Sequence, residues 1–165
     1  MTRIGAPKTA LLVALALPSL AACGSEPSDR DLPQADTTVA YTYVGPATAP
    51  NYHDEYVIQF AGQQATARIG GYGVVKGDAE PARTTSSRVS PEQWKQLVDG
   101  LDALDDLKPP AAGCVGGSTY GIHVNSGGRS VVDRTDVACG PTATEVADRY
   151  RALIASIAPV LQLPG

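Results

Sequence analysis

Apolar and polar positions divide the chain into three stretches. The first is a continuous apolar run, Ala10-Leu11-Leu12-Val13-Ala14-Leu15-Ala16-Leu17, preceded by Arg3 and Lys8 and followed by Pro18 and Ser19. It is shorter than the roughly 20 apolar residues that cross a bilayer core. The second, residues 24–38, holds Pro27, Pro33, four acidic residues and few apolar ones, and cannot bury enough surface to fold alone. From residue 39 the periodicities are those of a folded domain. Residues 39–44 are rich in β-formers and stop at Gly45-Pro46. Residues 55–61 alternate, with Tyr56, Ile58 and Phe60 on one face and Val57, Gln59 and Ala61 on the other. Residues 64–69 and 72–76 are predicted to continue this meander, and residues 83–89 form a polar strand suited to a sheet edge.

The period then changes. Ser90 as N-cap, Pro91 at the first helical position and Gln93 at the third make a capping box, with Val89 and Trp94 at the staple positions. Trp94, Leu97, Val98, Leu101, Leu104 and Leu107 recur at helical spacing, so one stripe faces a core. Asp99, Asp102, Asp105 and Asp106 lie opposite, and Lys108-Pro109-Pro110 ends the helix. Residues 118–125 alternate again, with Tyr120, Ile122 and Val124 on one face and Thr119, Gly121, His123 and Asn125 on the other. Ser126-Gly127-Gly128 turns the chain, and residues 129–136 return, placing Ser130, Val132 and Arg134 beside His123. A last helix begins at a second capping box, Thr142 with Glu145. It carries a stripe of Val146, Tyr150, Leu153, Ile154 and Ile157, and is expected to stop at Pro159. Strands, helix, hairpin and helix in this order predict an α+β fold, an antiparallel sheet with two amphipathic helices on one face. The other face then offers a candidate binding surface of Thr119, His123, Asn125 and Arg134.

The start of the chain carries an address. A positive end, a short apolar run and then Leu20-Ala21-Ala22-Cys23 resemble the bacterial lipobox: an aliphatic residue, two small ones and a cysteine. The resemblance implies cleavage before Cys23 and a lipid, a diacylglyceryl group with its palmitate-type chains, on that cysteine. Two or more acyl chains suffice for stable anchoring. The expected organisation is a signal peptide over 1–22, a lipidated cysteine and disordered tether over 23–38, and one α+β domain over 39–165. The expected location is the extracytoplasmic side of the cell membrane. The whole chain carries 13 Lys+Arg against 17 Asp+Glu, a net charge of −4. Loss of Arg3 and Lys8 would leave 11 against 17, a charge of −6. Such a balance argues against a nucleic-acid partner.

Candidate chemistry is sparse. Cys114 and Cys139 are the thiols left once Cys23 is acylated, and outside the cytoplasm an even pair reads as a disulfide. Closing their loop stabilises by about 3 kcal/mol in the chain-entropy model. His53-Asp54-Glu55 are contiguous, and contiguous side chains diverge, so they read as a polar loop. His123 reads as a half-exposed strand residue. The two histidines lack zinc spacing, and the aspartates of the first helix lack the loop of a calcium site. Residues 70–77 have glycines at the wrong spacing for a dinucleotide loop, and Gly116-Gly117-Ser118-Thr119-Tyr120 is not a hydrolase elbow. Tyr41, Tyr43, Tyr52 and Tyr56 are four of the seven tyrosines and suit either strands or a recognition surface. The layout helix, Cys114, glycine-rich loop, hairpin, Cys139 is similar to that of the secreted subtilisin-inhibitor family. There a cysteine-braced loop enters a protease, and the matching loop would be residues 114–118. No catalytic, cofactor or metal residue is assigned. The expected function is a non-enzymatic binding or scaffolding module, held to the membrane through Cys23, for a protein or small-molecule partner. The alternatives are a hydrolase using a histidine and an inhibitor-like module.

Overall fold

Alternation in the strands becomes a sheet with one apolar face. The computed structural model describes residues 30–108 and 116–164. It contains β1 (Thr37–Val44), β2 (Glu55–Ala61), β3 (Gln64–Gly70), β4 (Arg83–Arg88), β5 (Ser118–Ser126) and β6 (Arg129–Ala138), with helices α1 (Pro91–Asp105), α2 (Ala143–Ile154) and α3 (Ala158–Leu161). The strands form one sheet in the order β4-β3-β2-β1-β5-β6, antiparallel at every pairing. Val39, Tyr41, Ile58, Phe60, Ala65, Ala67, Ile122 and Val124 share a buried core with Leu97, Leu101 and Leu104 of α1 and Val146, Tyr150 and Leu153 of α2. Both helices therefore cover the same face of an α+β fold. Gly100, unfavourable in a helix by propensity, is where they meet: a Cβ there would overlap the Leu153 side chain.

Local signals hold best where caps are explicit. Ser90 Oγ accepts from the Gln93 amide at 3.2 Å, and Gln93 Oε1 accepts from the Ser90 amide at 2.9 Å. Thr142 is different. A 3-10 turn over Gly140–Thr142 runs straight into α2, and Thr142 (φ −95°, ψ 2°) makes no side-chain cap. A capping box needs an extended N-cap, so the second one is absent. Nor does Pro159 end that helix: α2 stops at Ile154, and Pro159 sits in the first turn of α3.

Three further expectations are corrected. Residues 72–76 are not a strand. The Gly73 carbonyl accepts from the amides of Asp78 and Ala79, Gly73 and Gly77 take positive φ, and the segment curls so that Val74 is buried. The tether, expected to run to residue 38, does not include residues 30–38. Leu32 enters the core, its carbonyl accepts from Trp94 Nε1 at 2.8 Å, and Arg30 pairs with Asp102 and Asp105. This segment has too little apolar surface to fold alone, but one leucine and one guanidinium dock it along α1. Last, the β5–β6 hairpin carries a bulge. Val124 pairs with Val132 but Asn125 pairs with Ser130, leaving Val131 as the extra residue. Such an insertion reverses which face every later side chain of the strand occupies.

Candidate binding surfaces

The helix-free face presents Thr38, Ala40 and Thr42 from β1, Gln59 and Ala61 from β2, and Thr119, Gly121, His123 and Asn125 from β5, by the pairing Ala40↔Gln59 and Ala40↔His123. Small side chains at its centre leave a shallow trough of about 250 Å³ lined by Thr38, Ala40, Gln59, Ala61, His123 and Asn125. Gly121 is required there, since a Cβ would collide with Thr42 Oγ1. Thr119, His123 and Asn125 thus share one face. The His123 side chain is 43% exposed, and its Nδ1 lies 3.6 Å from Asp133 of β6.

Arg134 does not join them. Without the bulge it would pair with Gly121 and point to the open face; with it, Arg134 pairs with Ile122 and turns under the helices. There it donates from Nε and Nη2 to Asp136 and from Nη2 to the Leu107 carbonyl at 2.9 Å. Tyr150 Oη donates to the same carboxylate at 2.8 Å. Asp136 is buried, and its hydrogen bond to Arg134 raises the guanidinium pKa further. This triad ties β6 to α2 and to the end of α1.

His53 and Glu55 do meet, two residues apart across a loop–strand junction. His53 Nδ1 lies 3.0 Å from the Pro46 carbonyl and Nε2 3.1 Å from Glu55 Oε1, with the ring buried. One ring nitrogen thus faces a backbone carbonyl, which can only accept, and the other faces a carboxyl oxygen. Burial pushes the Glu55 carboxyl up, but the amides of Val75 and Gly73 and the His53 ring donate to it and hold its pKa below the usual value. Tyr72 stacks on His53 with centroids 3.5 Å apart. Asp54 contributes its carbonyl, to Gly45. Both ring nitrogens of His53 are occupied, by Pro46 and Glu55, and the loop over 71–79 is clasped to this junction by the Tyr72 stack and by the Val75 amide donating to Glu55.

The aspartates on α1 are also engaged: Asp99 with Lys95, Asp102 and Asp105 with Arg30. The tyrosine cluster divides. Tyr52 is exposed, while Tyr41, Tyr43 and Tyr56 join Tyr120 and Tyr150 in a ladder of rings 4.9–6.2 Å apart on the helix side. Burial raises the hydroxyl pKa of Tyr41, Tyr56, Tyr120 and Tyr150. The Tyr41 hydroxyl meets no partner at hydrogen-bonding geometry, although the Tyr56 hydroxyl is near enough to perturb it. Where the ladder reaches the surface, Tyr56 and Arg151 help line a groove of about 450 Å³. Sequence reading passed over Arg151; the cross-strand pairs Tyr43↔Tyr56 and Tyr43↔Tyr120 were the signal that these rings gather in one place. Cys139 is disulfide-bonded, and Cys23 and Cys114 lie outside the described residues, as do residues 114 and 115 of the inhibitor-like loop. No protein-family model matches the chain, and no curated protein matches it either.

Proposed function

We propose that the protein is a lipid-anchored, non-enzymatic module on the extracytoplasmic side of the cell membrane that engages a protein partner through the helix-free face of its sheet. The observation that carries this reading is the breadth and shallowness of that face. Six strands at about 4.8 Å spacing give about 24 Å across, and their lengths give about 20–30 Å. That is close to the roughly 800 Å² per side of a standard protein interface. Hydroxyl and amide groups predominate on it, from Thr38, Thr42, Gln59, Thr119 and Asn125. The anchor rests on Leu20-Ala21-Ala22-Cys23. The occupied ring of His53 favours a binding role over hydrolysis.

The test is a photo-crosslinking residue placed at Asn125 or, as control, at the exposed Gln96 of α1, in the envelope of the producing cell. A discrete protein adduct from position 125, absent from position 96 and lost with Thr38→Arg across the trough, is the expected result. No adduct from 125, or the same adducts from both positions, overturns the assignment of the face. Incorporation of labelled fatty acid, abolished by Cys23→Ala, tests the anchor separately.

A further inference from the structure

We propose that the groove between β2 and the α2–α3 corner binds a monocarboxylic acid with an apolar chain, independently of the sheet face. The groove is lined by Tyr56, Arg151, Ile154, Ala155, Ala158 and Leu163, with a volume of about 450 Å³, inside the range that holds small organic ligands. Its only charged side chain is Arg151. Arg30, Lys95, Arg134 and Arg149 each have a carboxylate partner; among the described residues Arg151 has none. Arg68, Arg83, Arg88 and Arg129 share that state; what sets Arg151 apart is its place in a groove whose other lining side chains are uncharged. The guanidinium instead stands against the Tyr120 hydroxyl and within electrostatic reach of the Tyr56 hydroxyl.

The chemistry selects the ligand. A planar guanidinium matches one carboxylate in a two-point contact. Burial raises the hydroxyl pKa of both tyrosines, so both stay protonated at neutral pH, and Tyr56 lines the groove together with Arg151. Asp148, one turn earlier on α2, lies near enough to influence Tyr120. Its charge disfavours a dianion such as a phosphate monoester, which a single cation would not balance. The remaining walls are aliphatic, so the body of the ligand is a hydrocarbon chain rather than a polar one.

Decanoate is a suitable probe, titrated calorimetrically into the purified protein, with decan-1-ol as its neutral counterpart. Wild type is expected to bind decanoate at least tenfold more tightly than the alcohol. Arg151→Gln should weaken decanoate at least tenfold and leave the alcohol unchanged. Ala155→Trp, which fills the groove and keeps the charge, should weaken both. Unchanged unfolding midpoints confirm that the variants are folded, since Arg151 and Ala155 are exposed. No decanoate binding by wild type at millimolar concentration, equal affinity for the alcohol, or undiminished binding by Arg151→Gln would each overturn the proposal.

Discussion

At the scale of single residues, side chains that look alike in sequence do opposite work. His123 and Arg134 both sit on the β5–β6 hairpin; one faces solvent, and the other neutralises buried Asp136. Arg134→Ala leaves that carboxylate buried without its cation and should cost about 3 kcal/mol, toward the low end for broken buried pairs because Arg134 itself is partly exposed. His123→Ala should cost under about 0.5 kcal/mol. Urea unfolding measures both, and equal small losses would mean that the triad holds nothing. Glu55 makes a prediction about pH. Its folded pKa is depressed, so its contribution is present above the ordinary carboxylate value of about 4.3. It is lost as pH falls through the lower folded value. The stability gap between wild type and Glu55→Gln should be widest near neutrality and close below about pH 4; a gap independent of pH would contradict the clasp. Neither role was legible in His53-Asp54-Glu55 or in Arg134 as letters, because each depends on which way one backbone unit turns.

Elements were legible in proportion to how local their causes are. The start of α1 is written in Ser90, Gln93 and the Val89/Trp94 staple positions; the capping box forms, and Val89 and Trp94 are both buried in the core. Most of the strands follow from alternation, and the shared helix face follows from two apolar stripes needing one core. Three features escaped. Val131 and Val132 are adjacent and equally apolar, so nothing in sequence says which one faces inward, and the bulge decides it. Residues 72–76 hold alternating-strand residues between glycines, yet the glycines curl the chain. Thr142 and Glu145 have the spacing of a cap, but the preceding 3-10 turn removes the extended geometry the cap needs. The two helix starts therefore separate under one substitution. Ser90→Ala should cost about 1 kcal/mol, whereas Thr142→Ala should cost a few tenths at most. Thermal unfolding of the pair reads the difference directly, and comparable losses would show that Thr142 caps after all.

At the scale of the whole molecule, the boundary between tether and domain sets how the domain would sit beside a membrane. Sequence composition draws that boundary after residue 38, but Arg30, Leu32 and Gln34 all contact α1 or the segment leading into it. If Cys23 is anchored, only the chain from 23 to 30 is left to span the gap. At 3.3–3.6 Å per residue its reach is at most about 25 Å, roughly half that of a tether running to residue 38. This geometry holds only if the docked segment unfolds together with the domain rather than ahead of it. Leu32 decides the matter, because its side chain enters the core and its carbonyl receives the indole of Trp94, the one tryptophan in the chain. Leu32→Ala should lower the unfolding free energy by about 2–3 kcal/mol. It should also shift Trp94 emission to the red as water reaches the indole. Asp31→Ala, next to it and exposed, should do neither. In urea titrations followed by Trp94 fluorescence, a single cooperative transition in wild type and Asp31→Ala, moved to lower urea in Leu32→Ala, would place residues 30–36 inside the folding unit. An early, separate fluorescence change in wild type, or a Leu32→Ala midpoint equal to that of Asp31→Ala, would return those residues to the tether.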